Sequence, residues 1–424
     1  MIIFRTPKYK PLGPVELHPA DDIRGEVNNY LEGKCIILGV TGSIAAYRSL
    51  DTARWLIRRG ARVVPVLTRE AAKLVTPTMF HWATGEEALV DFTGETEHIT
   101  LARACDGMLV APATLSTMAK IAYGIVDNPV ALTAVSLAGY GKPLTIAPAM
   151  HSNMTRTSQY RETEARLARL GALVVPPVWS NYAAKYPNPG LLGRITAAHT
   201  SRGRDAGGLR ILVTAGPTRE WIDRVRFISN PSSGMMGVEV AVEAWARGAQ
   251  VDLVHGPMRV QPPHFTQNHR VESTRDMAAT VERLTREAEY HAMIAAAAPS
   301  DFTPSSRYEG KYRSGSSLTL TLEPTPKVIG SLARRPKVLV AFAAEVVNSL
   351  DELEAKAAEK LEATGADIMV ANIVGRSGTG FSSSTDEVVI LERGGKRLYR
   401  GTIHKEILAR MIVDLVTGKI ASPP

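Results

Sequence analysis

Two stretches of this chain repeat one pattern, and that pattern limits what the chain can fold into. Residues 35–68 read CIILGVTGSIAAYRSLDTARWLIRRGARVVPVLT, and residues 211–256 read ILVTAGPTREWIDRVRFISNPSSGMMGVEVAVEAWARGAQVDLVHG. Each passes from an apolar segment through a Gly/Ser/Thr-rich turn into a helical pattern, then Arg-Gly-Ala, then a second apolar segment. Strand, turn, helix, strand is a βαβ unit, since two parallel strands need a crossover that returns the chain to the same edge. A glycine turn opening a helix beside a strand end points backbone N–H groups and the positive helix end outward, as a cradle for an anion. Two such units about 175 residues apart predict two α/β domains, each with a nucleotide-type site.

The chain has 424 residues, enough for two or three domains with proper cores. Hydrophobic content of 45% with 22% charged residues excludes a disordered class. No apolar run approaches the roughly 20 residues of a membrane helix. The start, MIIFRTPKYKPLGP, lacks a signal-peptide core. A cytoplasmic location is expected. The two cysteines, Cys35 and Cys105, each border an apolar run. They read as small core residues, not as a disulfide framework or a zinc set. The formal charge is +8, but its basic residues are spread out and not interleaved with aromatics. That suits a bland basic surface or attraction of phosphorylated small ligands, and nucleic acid is not expected.

Residues 1–33 read as an N-terminal extension with a short helix near 24–31. A first domain is expected at 34–197, with buried parallel strands at 35–40, 63–67, 108–111, 144–147 and 172–175. Ala46, Leu50, Ala53 and Ile57 share a helix face, and Gly60 reads as that helix's C-terminal cap. The polar, glycine-rich segment 198–208 reads as a linker. A second domain, 209–424, is expected to hold strands at 211–214, 251–254, 293–297, 338–342 and 368–371, and helices at 236–247, 274–289, 350–364 and 403–417. Segments 318–322 and 387–391 alternate apolar and polar residues, as in more exposed strands or a hairpin.

In the first domain, Gly39-Val-Thr-Gly-Ser-Ile-Ala45 joins a strand end to a helix start. Gly42 would let a phosphate approach the backbone, while Thr41 and Ser43 offer hydroxyls and a cap. It is neither a Walker A loop nor a full dinucleotide fingerprint. His98 falls in a loop or helix start, in Glu97-His-Ile-Thr-Leu-Ala102. Ala111-Pro-Ala-Thr-Leu-Ser-Thr117 and Ala147-Pro-Ala-Met-His-Ser-Asn-Met154 each follow a strand and open a helix. Successive strand C-termini are where open α/β sheets bind ligands. In the second domain, Thr214-Ala-Gly-Pro-Thr-Arg-Glu220 is a strand-to-turn element. Ser232, Ser233 and Gly234 can cap a helix and cradle phosphates. Lys356 and Lys360 share a helix face at i, i+4.

The first set, with Gly124-Ile-Val-Asp-Asn-Pro129 and Pro-Ala-Met-x-x-x-Met, resembles the flavin-dependent cysteine decarboxylases. Over residues 34–415 the order resembles the bifunctional family that joins a phosphopantothenoylcysteine decarboxylase to a phosphopantothenate–cysteine ligase for coenzyme A biosynthesis. The second half carries that resemblance in Thr-Ala-Gly-x-Thr-x-Glu-x-Ile-Asp and Val-Arg-x-Ile-Ser-Asn-x-Ser-Ser-Gly-x-Met-Gly. It continues in Ala-Ala-Ala-Pro-Ser-Asp-Phe, Thr325-Pro-Lys-Val, Phe342-Ala-Ala-Glu345 and Gly380-Phe381 before Asp-Glu-Val.

The resemblance implies a flavodoxin-like or Rossmann-like parallel-sheet flavin domain followed by a second Rossmann-like ligase domain. It implies FMN held by Gly42, Ser43, Thr68, Thr114 and Ser116, with His98 catalytic and His151, Met154 and Arg194 binding substrate. The flavin oxidises the cysteine thiol to a thioaldehyde, the carboxylate leaves, and the electrons return. It implies a ligase that uses CTP and Mg²⁺ to turn the 4′-phosphopantothenate carboxylate into an acyl-cytidylate, which the amine of cysteine then attacks. Arg226 and Asn230 would handle that intermediate. Gly216, Ser232, Ser233, Ala298, Asp301, Pro326, Lys327, Val328, Phe342, Lys356 and Lys360 would bind the nucleotide. No metal ligands are assigned. A homo-oligomer is implied, with trimer contacts through the flavin domain and dimer contacts through the ligase domain. No nucleic-acid or membrane partner is expected.

The chain departs from the family at four places. His151 replaces an asparagine. The flap 184–195 has no cysteine, leaving His151, Lys185 and Tyr186 as proton-donor candidates. Arg313 falls where many members have the catalytic lysine, with Lys311 two residues earlier. Met235 replaces a lysine. Two other readings stay open: a ligase with a degenerate flavin domain, and a non-enzymatic regulatory subunit.

Overall fold

Long unbroken apolar runs such as Cys35–Val40 make strands that are buried on both faces, and such strands pair in parallel beneath covering helices. The computed structural model describes residues 18–421 apart from 181, 316, 376–379, 381 and 382. Phe381 of the Gly-Phe motif and residues 1–17 of the expected extension lie outside the described residues. The chain divides into two units, Met1–Gly203 and Arg204–Pro424.

In the first unit, β1 (Cys35–Val40) lies between β2 (Arg62–Leu67) and β3 (Gly107–Ala113). β4 (Leu144–Pro148) continues the sheet, and β5 (Met150–His151) follows at once. β6 (Leu173–Val174) completes a parallel sheet of order β2-β1-β3-β4-β6. β7 (Val178–Trp179) and β8 (Ala183–Lys185) join β5 in a small antiparallel sheet. The flap is thereby pinned to the strand that carries His151.

Three expectations are corrected here. The first helix is Pro19–Asp22, not 24–31. Proline at its start and the His18 side chain accepting from Ala20 N–H open it early, and Gly25 at φ +75° turns the chain away. Helix Arg48–Ile57 ends at Arg58, and Gly60 lies in the following turn at φ +97°. Cys35 and Cys105 are both buried, as expected, yet they are bonded to each other, with Cα atoms 4.5 Å apart. The strand start and the helix end that carry them meet, a proximity that sequence separation concealed. Helix Pro189–Arg202 runs through the first residues of 198–208, where Ala198, His199 and Thr200 are buried.

The second unit contains β9 (Arg210–Ala215), a hairpin of β10 (Glu220–Trp221) and β11 (Phe227–Ile228), β12 (Gln250–His255), β13 (Gln267–Arg270) and β14 (Ala292–Ala295). It continues with the antiparallel pair β15 (Phe302–Pro304) and β16 (Leu322–Pro324), then β17 (Val338–Glu345), β18 (Ile368–Ile373), β19 (Thr385–Glu392) and β20 (Arg397–His404). The main sheet has the order β13-β12-β9-β14-β17-β18-β19-β20, antiparallel only in its last two pairings. One core cluster forms on each face: Val213, Val240 and Ile412 on one, Leu212, Met277 and Leu353 on the other. Segment 387–391 was expected in a more exposed strand or a hairpin; β19 and β20 form that hairpin, but Val388–Leu391 are buried, since they pack alternately into the clusters on the two faces. Of 318–322 only Leu322 is in a strand. The polar edge strand β13 has no apolar period and was missed. Among the described residues, no helix is long and apolar enough to cross a membrane.

Candidate functional site

At the carboxyl edge of the first sheet, three neighbouring strands end on a hydroxyl. Ser43 follows β1 and accepts from Ala45 N–H at 3.4 Å. Thr68 follows β2 and accepts from Ala71 N–H at 3.2 Å. Thr114 follows β3 and accepts from Thr117 N–H at 3.4 Å. Each is therefore the cap of its own helix or turn, a contact that stabilises by about 1 kcal/mol. Thr41 ties two tips together, donating to Pro112 O at 2.7 Å and accepting from Thr114 N–H at 3.0 Å. Gly42 has a structural reason of its own, because a β-carbon there would lie 2.6 Å from Cβ of Glu70. Ser116 is exposed in the first turn after Thr114.

His98 stands in the first turn of helix Glu97–Ala104, which runs down to β3, so its start lies at the same carboxyl edge. Its Nδ1 is buried and has no hydrogen-bond partner among the described residues, and its ring meets Phe92 edge-on at 6.3 Å. Burial works against the charge of Glu97. The hydroxyl and N–H of Thr93 outweigh it and hold that carboxyl below its ordinary range. After β4, exposed His151 caps the short helix Ser152–Thr155, and Met154 is exposed on that helix. Arg194 lies in helix Pro189–Arg202, which begins within the flap. Of the proton-donor candidates, Tyr186 is anchored: it is 3% exposed, its hydroxyl lies 2.8 Å from Thr52 Oγ1, and burial pushes its pKa up. Lys185 is exposed.

The carboxyl edge of the second sheet encloses a cavity of about 940 Å³. Nine of the fifteen expected ligase-site residues line it: Asn230, Ser232, Ser233, Ala298, Asp301, Lys327, Val328, Phe342 and Lys360. They come from three connections between elements, a strand and a helix that are far apart in sequence. Asn230 Nδ2 donates to Ala298 O at 3.1 Å and Pro299 O at 3.0 Å, so one amide joins two of those connections. Lys327 pairs with Asp301 at 2.6 Å. Glu345 pairs with both Lys356 and Lys360, and these two hold its carboxyl below its usual range although burial opposes them.

Six expected residues lie outside the lining: Gly216, Arg226, Lys311, Arg313, Pro326 and Lys356. The space beside Gly216 is filled, since a β-carbon there would lie 2.4 Å from Met258 Cγ. Arg226 is held by Asp223 at 2.8 Å and by the Tyr312 carbonyl at 3.2 Å. Lys311 and Arg313 flank Tyr312 and are exposed. Lys356 lies one turn before Lys360.

The lining also includes residues that sequence reasoning passed over: Asn372, Asp386 and Lys405. Lys405 Nζ donates to Gly380 O and Ser383 O, both at 2.7 Å, while Asp386 accepts from Gly380 N–H at 3.0 Å and faces Lys405 at 3.6 Å. Burial pushes Asp386 up to about 6 and Lys405 down from its ordinary value. One signal was available. Asp386 shares the inward parity of Val388 and Ile390 on β19, and a carboxylate on a buried face needs a partner. Among the described residues, no group of three His, Cys, Asp or Glu side chains could hold a metal ion.

Residues 24–196 match the Flavoprotein family, and residues 206–419 match the DNA/pantothenate metabolism flavoprotein C-terminal domain. The coenzyme A biosynthesis bifunctional protein CoaBC of Thermococcus kodakarensis is 38% identical over 407 residues, covering 94% of this chain and 98% of that protein. The protein of the same name from Methanocaldococcus jannaschii is 34% identical over 358 residues, 84% and 87% respectively. A crystal structure of the C-terminal domain of a CoaBC protein aligns with 51% of this chain and 97% of its own, at 31% identity and a TM-score of 0.42.

Proposed function

The chain belongs to the family of coenzyme A biosynthesis bifunctional proteins, with decarboxylase and ligase activities, and from that premise we propose how its two units divide the work. The second unit joins 4′-phosphopantothenate to cysteine at the expense of CTP. The first decarboxylates the 4′-phosphopantothenoylcysteine to 4′-phosphopantetheine with FMN. The cavity in the second unit carries the ligase reading, because it gathers expected ligase-site residues from five separate segments into one lined volume.

A carboxylate oxygen is a poor leaving group. Transfer of the cytidylyl group onto it, with loss of pyrophosphate, makes a good one, which the amine of cysteine displaces. Substrate and triphosphate are both anionic, so their approach needs cations. Lys360 and Lys327 supply charge at the lining, and Glu345 and Asp301 fix where those ammonium groups sit. The Ser232–Gly234 turn brings the start of helix Met235–Ala246 to the cavity, where no side chain caps its first N–H groups beyond Ser233. Mg²⁺ would arrive on the triphosphate, consistent with its habit of binding through substrate phosphates.

The first unit fits a flavin. Hydroxyl-capped helix starts gather at three adjacent strand ends, and the buried Nδ1 of His98 has no hydrogen-bond partner among the described residues. Bound FMN supplies the oxidation of the thiol and the return of the electrons. Ser43, Thr68 and Thr114 would hold it at the strand ends, with Gly42 and Ser116 beside them. His98 would orient the departing carboxylate and hold or pass a proton at its unpaired nitrogen. His151 and Lys185 remain as groups able to protonate the product side. We extend the proposal to self-association of the first unit, which leaves Ile44 80% and Tyr182 73% exposed.

Incubation of the purified chain with 4′-phosphopantothenate, cysteine, CTP and Mg²⁺, followed by mass, tests the whole reading. Phosphopantetheine, CMP and pyrophosphate are expected, and ATP in place of CTP tests the base preference. The ligase-only reading draws on the flap, which has no cysteine and whose Tyr186 is occupied as an anchor. Accumulation of phosphopantothenoylcysteine, with no flavin bound to the purified protein, would select it.

A further inference from the structure

We propose that Asp223 is the positioning residue of the ligation site, acting through Arg226 and through the segment that carries Lys311 and Arg313; this rests on the ligase reading above. Asp223 is fully buried. Its Oδ1 accepts from Val225 N–H and Arg226 N–H, both at 2.7 Å. Its Oδ2 accepts from Arg226 Nη1 at 2.8 Å and Tyr312 N–H at 3.1 Å. The Arg226 guanidinium then donates to Tyr312 O from both terminal nitrogens, at 3.2 and 3.3 Å. Carboxylate, guanidinium and one peptide unit form a closed ring. The hairpin of β10 and β11 is on one side of it, and the segment between β15 and β16 is on the other.

Both partners of that ring carry expected chemistry, while Asp223 itself touches no lining residue of the cavity among its hydrogen bonds. Arg226 is one residue before β11, and Asn230, which lines the cavity, is two residues after it. Lys311 and Arg313 are the immediate neighbours of Tyr312, so the peptide that Asp223 holds sets where both cations begin. Further bonds join the same two segments, Tyr308 N–H to Ile222 O at 3.0 Å and Arg224 N–H to Gly310 O at 3.2 Å. Those are backbone ties that any side chain would allow. Side chains also tie the two segments in the exposed Arg224–Glu309 pair at 3.3 Å, whereas the Asp223 ring is closed on a fully buried carboxylate.

The carboxylate is suited to the task. Burial disfavours its charge, but the N–H groups of Val225, Tyr312 and Arg226 and the charge of Arg226 bring its pKa down to about 2, so it stays ionised at any working pH. An amide of the same shape could still accept from the two N–H groups at Oδ1. Its NH₂ would then face two donors, Tyr312 N–H and the Arg226 guanidinium. Asp223→Asn thus breaks one half of the ring and spares the turn. Cations that neutralise developing charge act only when held in place, and a 1 Å displacement can cost about 10²-fold in rate.

The test is a cycle of Asp223→Asn, Arg226→Lys and the double variant in the full chain, with ligation followed by pyrophosphate release. Asp223→Asn is expected to lower kcat about 30- to 100-fold with KM for CTP within about twofold, since the nucleotide lining lies elsewhere. The double variant should be no slower than Arg226→Lys by more than about twofold, because the two residues act as one unit. Losses that multiply, or an Asp223→Asn chain that ligates within about threefold of wild type, overturn the proposal. A wild type that does not ligate at all overturns the ligase reading instead. If Asp223→Asn does not fold, Tyr312→Pro and Tyr312→Ala replace it. Both lack the phenol side chain, and only the proline lacks the N–H from which Asp223 accepts. The proline variant should ligate at least tenfold more slowly; equal rates overturn the proposal.

Discussion

The two units bring the same device, a helix start at the carboxyl end of a parallel strand, to different finished states. In the first unit the hydroxyls of Ser43, Thr68 and Thr114 already satisfy N–H groups of their own helices. In the second unit Gly234 opens a helix with no side-chain cap bond of its own, and paired charges ring a cavity of about 940 Å³. The first edge leaves large apolar side chains such as Ile44 in the open, while the second encloses volume within one chain. A hydroxyl at a strand end thus carries two meanings, cap and ligand, and only the accounting of backbone N–H groups separates them.

The sharpest attempt to break this comparison is His98→Asn. General acid–base groups contribute about 10²- to 10⁴-fold, so decarboxylation should fall by that factor while ligation stays within twofold. Loss of both activities in a folded variant would merge the two sites into one. Asn230→Ala, which unties two connections at the cavity, should slow ligation about 10²-fold and spare decarboxylation of supplied phosphopantothenoylcysteine. Lys360→Met should raise KM for CTP about tenfold, equivalent to about 1.4 kcal/mol, with flavin content unchanged.

A smaller effect separates the units by pH. Burial pushes Asp386 up to about 6, whereas an unfolded aspartate titrates near about 3.9. Between those values the folded chain keeps a proton that the unfolded chain has lost, so this group's contribution to stability falls as pH rises from about 4 to 6. Asp386→Asn should remove that slope from the melting temperature of the second unit; an unchanged slope would assign it to other groups. The smallest expected effect is Thr114→Val. Loss of the cap should cost about 1 kcal/mol, or about 2–4 °C in Tm, even in flavin-free protein. A loss seen only when flavin is present would make Thr114 a ligand contact rather than a cap.

Most of the architecture was legible because buried parallel strands are continuous apolar runs. Segment 350–364 was placed as a helix at its observed bounds, Leu350–Thr364. What failed was local and polar. β13 (Gln267–Arg270) pairs by backbone at a sheet edge, and nothing in its side chains announces it. The bond between Cys35 and Cys105 depends on a tertiary meeting 70 residues apart in sequence. At the second site, the resemblance supplied nine residues of the lining. Asp386 and Lys405 were missed because each reads as an ordinary surface charge until the sheet turns it inward. Arg226 was anticipated, but its tie to Asp223 was not, since a turn aspartate signals only local backbone bonding.

The account's central claim is that two chemically independent sites lie in one chain. Mixing the two disabled variants tests it most directly. His98→Asn, given 4′-phosphopantothenate, cysteine, CTP and Mg²⁺, should accumulate phosphopantothenoylcysteine and stop. Adding Asn230→Ala, which cannot make that compound at a useful rate, should then convert it to phosphopantetheine with release of CO₂. A mixture that remains at phosphopantothenoylcysteine, although both variants are folded, would contradict the claim.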